Sequence, residues 1–361
     1  MIVQQNPSSP NHSLAGGFEP CRETDVDDMN DLPQEMPTSE PLRTILDHWQ
    51  QNLRSQFVTA DRAALRSQKT YKDRARTAAI LGSIAVALAI LQLSSLVQGR
   101  WAELLPWVEG ATAASTFLVV FLGMRSSFKE RWLLERYQAE SLRLLKFRSL
   151  IQSACWSANP AEIEKWKDRL CDQVEGITAT TFSALQGWIS RGTVPAVVEA
   201  PADGRVNESS LKELVRYYHK KRLHYQMSYF GSAARRNEAN DHHTRLVGPA
   251  LFFGSVAFVL AHLSVEIVGG SAHWLSRLLI LSAAVLPAMG AGFRTHRAAN
   301  EFARNAARFE AVRHTLSELS ERLRYATDAP AIFRELGFGE QVLEADLREW
   351  MRLMMEAEWF G

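Results

Sequence analysis

The chain is poor in the clustered groups that catalysis requires. Its 361 residues hold three cysteines, Cys21, Cys155 and Cys171. They form no CxxC or zinc-ligand spacing, so reduced thiols are expected rather than a disulfide framework or a metal centre. No HExxH, GxxxxGK[ST], GxSxG or GxGxxG occurs, which removes the local signatures of zinc proteases, P-loop NTPases, serine hydrolases and dinucleotide enzymes. Asp241, His242 and His243 could ligate a metal, but adjacent residues point to different helix faces and a polar cluster is the better reading. His219 and His224 are five apart, a poor spacing for one shared ligand. No stretch alternates long enough for a strand, so the fold class is all-α. No enzymatic activity, cofactor, metal or nucleic-acid partner is expected.

Charge is balanced overall, with 41 basic and 40 acidic residues, but strongly segregated. Residues 1–41 carry eight acidic side chains against Arg22 alone, a net of −7, and six of the 13 prolines. Such a segment buries too little apolar area to offset its chain entropy, so a disordered acidic tail is expected. It lacks the basic start and apolar stretch of a signal peptide.

Four apolar runs dominate the remainder: Thr77–Val97, Trp107–Met124, Leu246–Val268 and Trp274–Phe293. A helix rises about 1.5 Å per residue, and roughly 20 such residues cross a bilayer. Thr77 to Leu246 and Met124 to Phe293 are both offsets of 169, which implies a duplicated two-span unit. The expected division is a tail to residue 41, a first repeat over 42–186, a linker over 187–210 and a second repeat over 211–361.

Basic residues flank the inner ends of all four runs, from Lys69, Lys72, Arg74 and Arg76 at the first to Arg294, Arg297, Arg304 and Arg308 at the last. The loops between paired runs hold only Arg100. Lys and Arg stay on the cytoplasmic side, so both termini are expected inside and the two hairpins in parallel orientation. The implied location is a bacterial inner membrane, with lipids as partners.

Within the runs, Gln92 and His262 lie at similar depth and read either as interhelical hydrogen-bonding groups or as pore lining. Glu109, Glu266 and Arg277 fall near the outer ends, where Glu266 and Arg277 could pair. Ala284, Ala288 and Gly292 make a small-xxx-small row suited to close helix packing. Pro249 and Pro287 are candidate kinks. Lys220, Lys221, Arg222, Arg235 and Arg236 form the densest basic group. It reads as a solvated flank, as an anionic-lipid contact or as a phosphate site.

Outside the runs, helical stripes recur. Leu133, Tyr137, Leu144, Phe147 and Ile151 are expected to continue the second span without a break. Asn159-Pro160 reads as a capped start of a helix to about Gln186. Phe302, Phe309, Leu316 and Leu323 are seven apart, with Val312 and Leu319 between them, a coiled-coil-like seam either within the chain or between subunits. A last helix is expected over about 339–359.

These residues resemble the SLATT family of two-span modules. The resemblance runs through Ala60-Asp61, Gln68, Tyr71 and Arg131-Trp132-Leu133-Leu134 in the first half. In the second it runs through Tyr225–Phe230, Arg294–Phe309 with Asn305, Arg308 and Phe309, and Leu347–Met354. It implies a pore-forming effector of nucleotide-signalled antiviral defence that acts as a homo-oligomer. No nucleotide-binding domain precedes the spans here, so the resemblance implies a separate sensing or signal-producing protein. A non-conducting membrane scaffold, recruiting a partner through the tail and the seam, is the alternative.

Overall fold

A computed structural model describes residues 28–31, 36–93, 99–125, 127–191, 206–267 and 273–356. Residues 1–27 of the acidic segment and 192–205 of the expected linker lie outside that set. Among the described residues every regular element is helical, and there is no strand.

The chain begins with α1 (Glu40–His48), a π-helical turn (Trp49–Leu53) and α2 (Arg54–Leu93), then α3 (Arg100–Arg125) and α4 (Phe128–Ser149). After α5 (Pro160–Thr178) and α6 (Phe182–Ser190) comes α7 (Glu208–Tyr218), a second π-helical turn (His219–His224) and α8 (Tyr225–Ile267). The remaining helices are α9 (His273–Asn300), α10 (Phe302–Tyr325) and α11 (Ala329–Glu356). Helix α2 packs on α3 and α4, and α8 packs on α9 and α10. At about 1.5 Å per residue, the 43 residues of α8 reach roughly 65 Å.

Burial divides these long helices in two. The first part of α2 buries Phe57, Ala60, Ala64, Gln68 and Tyr71, at i, i+3, i+7, i+11 and i+14, one face of a 3.6-residue period. The first part of α8 does the same with Tyr225, Tyr229, Phe230, Ala233 and Ala234. Beyond these points α2 and α8 expose large apolar side chains such as Ile84, Phe253 and Leu260, and α3 does the same at Phe117. Three helices are long and apolar enough to cross a membrane, their apolar stretches lying at Glu103–Gly123, in the continuous α7–α8 rod, and at Trp274–Arg294. Of the first expected span, Ile80–Gln92 forms an apolar helical stretch, and residues 94–98 lie outside the described set.

Three sequence expectations change. The second span does not run straight into α4, since α3 stops at Arg125 and Ser127 leaves helical geometry at φ −73° and ψ 32°. The matching junction of α9 and α10 breaks at Glu301, which sits in the left-handed region at φ 43°, while Asn305 Nδ2 donates to Asn300 O at 2.9 Å. Asn159 caps its helix as expected, accepting from Ala161 N. That helix nevertheless ends at Thr178, because the Thr181 hydroxyl caps a new one through Ala184 N. The last helix starts at Ala329, capped by Asp328, ten residues before Gly339.

Gly339 is therefore mid-helix, and its place is set by close approach. A methyl group there would lie 2.7 Å from both Leu319 Cδ2 and Tyr218 Oη. Alanine is the better helix former by about 1 kcal/mol, yet the clash decides the sign. Gly339→Ala is expected to lower stability by about 1–3 kcal/mol, measured as a reduced unfolding midpoint of the purified protein. A rise would refute this packing.

Candidate functional site

The head is held together by charges that burial removes from water. On α4, Arg136, Glu140, Arg143 and Lys146 fall at i, i+4, i+7 and i+10 and all turn inward. The second π turn adds Lys221 and Arg222, α11 adds Glu340, and the acidic segment adds Asp28 and Asp31. Lys146 is 0%, Lys221 1%, Arg222 2% and Glu340 1% exposed.

The geometry is charge-assisted throughout. Arg136 Nη2 meets Glu140 Oε1 at 2.5 Å and its Nη1 meets Asp61 at 3.3 Å. Arg143 Nη1 donates to both Glu140 oxygens, at 2.7 and 2.8 Å. Its Nε lies 3.0 Å from Asp28 Oδ2. Lys146 Nζ donates to Asp31 Oδ2 and Asp28 O, each at 2.8 Å. Tyr217 OH donates to Asp31 Oδ1 at 2.7 Å, and Lys221 Nζ to Asn30 O at 2.9 Å. Arg222 grips Glu340 bidentately at 2.9 and 2.8 Å, and Tyr218 OH completes that carboxylate at 2.7 Å. The Arg222 guanidinium also lies 4.6 Å from the Phe147 ring centre.

Burial pushes the Asp28 carboxyl up, against the pull of Arg143. Burial pushes Glu140 up as well, but Arg136 and Arg143 hold it below the usual carboxylate range. Desolvation also draws the Lys146 ammonium down, opposed by Asp31. The Cys155 thiol is raised by burial and donates to Ser149 O and Gln152 O, so it is not a reactive thiolate. Among the described residues no group of three or more His, Cys, Asp or Glu side chains is gathered to hold a metal. Asp241 instead pairs with Arg297 at 2.8 Å.

The basic group singled out in the sequence therefore splits. Lys220, Arg235 and Arg236 are exposed, whereas Lys221 and Arg222 face the core and do not reach lipid. Residues 221, 222 and 223 are all buried, as are 142–147 on α4 and 229–234 on α8, because other helices cover these stretches on more than one side. The acidic segment is likewise corrected, since Asp28, Met29 and Asp31 are buried in the head.

The span residues are placed as follows. His262 Nδ1 lies 3.0 Å from Ser276 Oγ on α9, and the same hydroxyl donates to Glu266 at 2.7 Å. Gln92 is half-buried with its Nε2 unbonded, and no hydrogen bond joins it to His262. Glu109 is half-buried and Arg277 exposed. Ala284, Ala288 and Gly292 are exposed, and nothing lies within 4 Å of a methyl at Gly292. The hairpin instead uses Ala283, whose carbonyl accepts from Ser255 at 2.7 Å, and Gly290, where a methyl group would lie 3.6 Å from Gly248 O. The Phe302–Leu323 seam is buried within the chain.

No protein-family profile, curated protein or solved structure matches this chain.

Proposed function

We propose that the chain is a bacterial inner-membrane effector that oligomerises through its apolar helices and permeabilises the membrane, its trigger being the state of the cytoplasmic head. The observation that carries this reading is α8, unbroken from Tyr225 in the buried head to Ile267 at the far end of its apolar half. Any shift at the head is levered along that rod into the second hairpin. The order short helix, π turn, long helix occurs at 40–93 and again at 208–267, which favours two parallel repeats with both termini inside. The resemblance to SLATT modules adds nucleotide-signalled antiviral defence as the setting, with a separate sensor or signal-producing protein. His262, Ser276 and Glu266 form the polar group nearest the outer end of the second hairpin, and in an assembly they would line or gate its path.

Expression in bacteria carrying a potential-sensitive dye is expected to depolarise the membrane on triggering by phage or by candidate nucleotides. His262→Leu should weaken that response, since an apolar constriction dewets. Unchanged polarisation and viability under all triggers would sink the effector reading. The scaffold alternative then gains, although the seam it would use is occupied by the chain's own core.

A further inference from the structure

Among the described residues, Asp346 is the buried acid of α11 that no hydrogen bond holds. On the same helix Glu340 accepts from Arg222 and Tyr218, Glu344 from Arg148 and Arg348, and Glu349 from Arg352. Neither Asp346 oxygen accepts a bond from a described residue, and no nitrogen of Arg308 donates one. The two side chains are 2% and 14% exposed and stand 3.4 Å apart, without the alignment a hydrogen bond needs. An ionised carboxylate in such a place requires donors, whereas a neutral carboxyl group pays far less for lacking them. The packing seen here therefore suits the protonated acid. We propose that Asp346 makes α11 a proton-operated catch: the helix keeps this packing while Asp346 carries its proton, and shifts against α10 when the carboxyl ionises and draws Arg308 into a hydrogen-bonded pair. The movement is small, since a charge-assisted N–H···O bond is about 2.7–2.9 Å long.

Charged and titratable groups from each neighbouring helix set the catch. Burial is the largest influence and brings the carboxyl to about 6; Arg308 on α10 opposes it, while Glu140 on α4 and Glu349 on α11 itself add to it by like charge. Glu349 is in turn tied to Arg304 and Arg352, and Glu140 to Arg136 and Arg143. From α8, the buried Tyr229 hydroxyl feels the same Asp346 carboxylate. The change of charge thus falls between about pH 5 and 7. Its position lets it be felt widely: α11 packs on α4, α6, α7 and α10, helices drawn from both halves of the chain. Helix α10 follows α9 of the second hairpin across the break at Glu301. The proposal does not depend on membrane activity, because it is read on α11.

The test uses the full chain in lipid nanodiscs, with amide hydrogen exchange of α11 followed by mass spectrometry from pH 5 to pH 8. Rates are corrected for the intrinsic effect of pH. Protection of the stretch 342–351 is expected to fall several-fold as pH rises, with a midpoint near 6. Asp346→Asn cannot ionise, so it should keep this stretch protected across the range. Arg308→Gln removes the cation that favours ionisation and should move the midpoint upward by about one pH unit or more. The wild-type profile and that midpoint decide the matter even where Asp346→Asn fails to fold. Protection that does not change with pH in the wild type, a pH response that survives in Asp346→Asn, or a midpoint unmoved by Arg308→Gln would each overturn the proposal.

Discussion

Arg222→Met alone is expected to cost about 3–5 kcal/mol of stability, because it strands the Glu340 carboxylate in the core with only Tyr218 OH as donor. Glu340→Leu alone should cost a similar amount by leaving the guanidinium unpaired beside Phe147. The double variant should recover most of the loss, since two apolar groups of similar volume remove both buried charges at once. Chemical unfolding of the four proteins in one detergent, read by tryptophan fluorescence, gives the coupling. Additive losses in the double variant would show that the pair does not act as a unit.

The stabilisation that the protonated Asp346 contributes should fall as pH rises from 4 to 6. Burial pushes its carboxyl up from 3.8 to about 6, opposed by Arg308, whose Nε lies 3.4 Å away. Neither Asp346 oxygen accepts a hydrogen bond, so the ionised form has little to offset its desolvation. A raised folded value means that the folded chain binds a proton which the unfolded chain has released. Its contribution is whole below pH 4 and is lost as pH climbs through 6. The shift corresponds to roughly 3 kcal/mol between those limits. Asp346→Asn cannot titrate, so the stability difference between wild type and variant should change by that amount from pH 4 to pH 7. Parallel pH profiles for the two proteins would rule out Asp346 as the titrating group.

The apolar parts of the architecture were readable without coordinates. Runs such as Trp274–Phe293 are long enough that hydropathy alone decides them, and Asn159-Pro160 is a local capping signal that operates whatever surrounds it. The heptad spacing of Phe302, Phe309, Leu316 and Leu323 announced a buried face, though not whose. The candidate site was much less legible. Arg136, Glu140 and Arg143 have helical spacing, but charges so spaced ordinarily mark a solvated face. Arg222 looked like part of a basic flank because composition does not say which face of a helix is covered by distant elements such as α11.

The sequence by itself determined the helical class, the segments apolar enough for a membrane and the segregation of charge. These follow from periodicity, length and local capping, which are properties of short stretches. Only the tertiary structure decided that Asp28 and Asp31 leave the acidic segment for the core, and that Glu340 meets Arg222 from 118 residues away. It also decided which small residues of α9 touch α8: Ala283 and Gly290, rather than Ala284, Ala288 and Gly292. A buried charge is tolerated only where a partner of opposite sign arrives with good geometry. That arrival depends on the packing of distant helices, which no local pattern encodes.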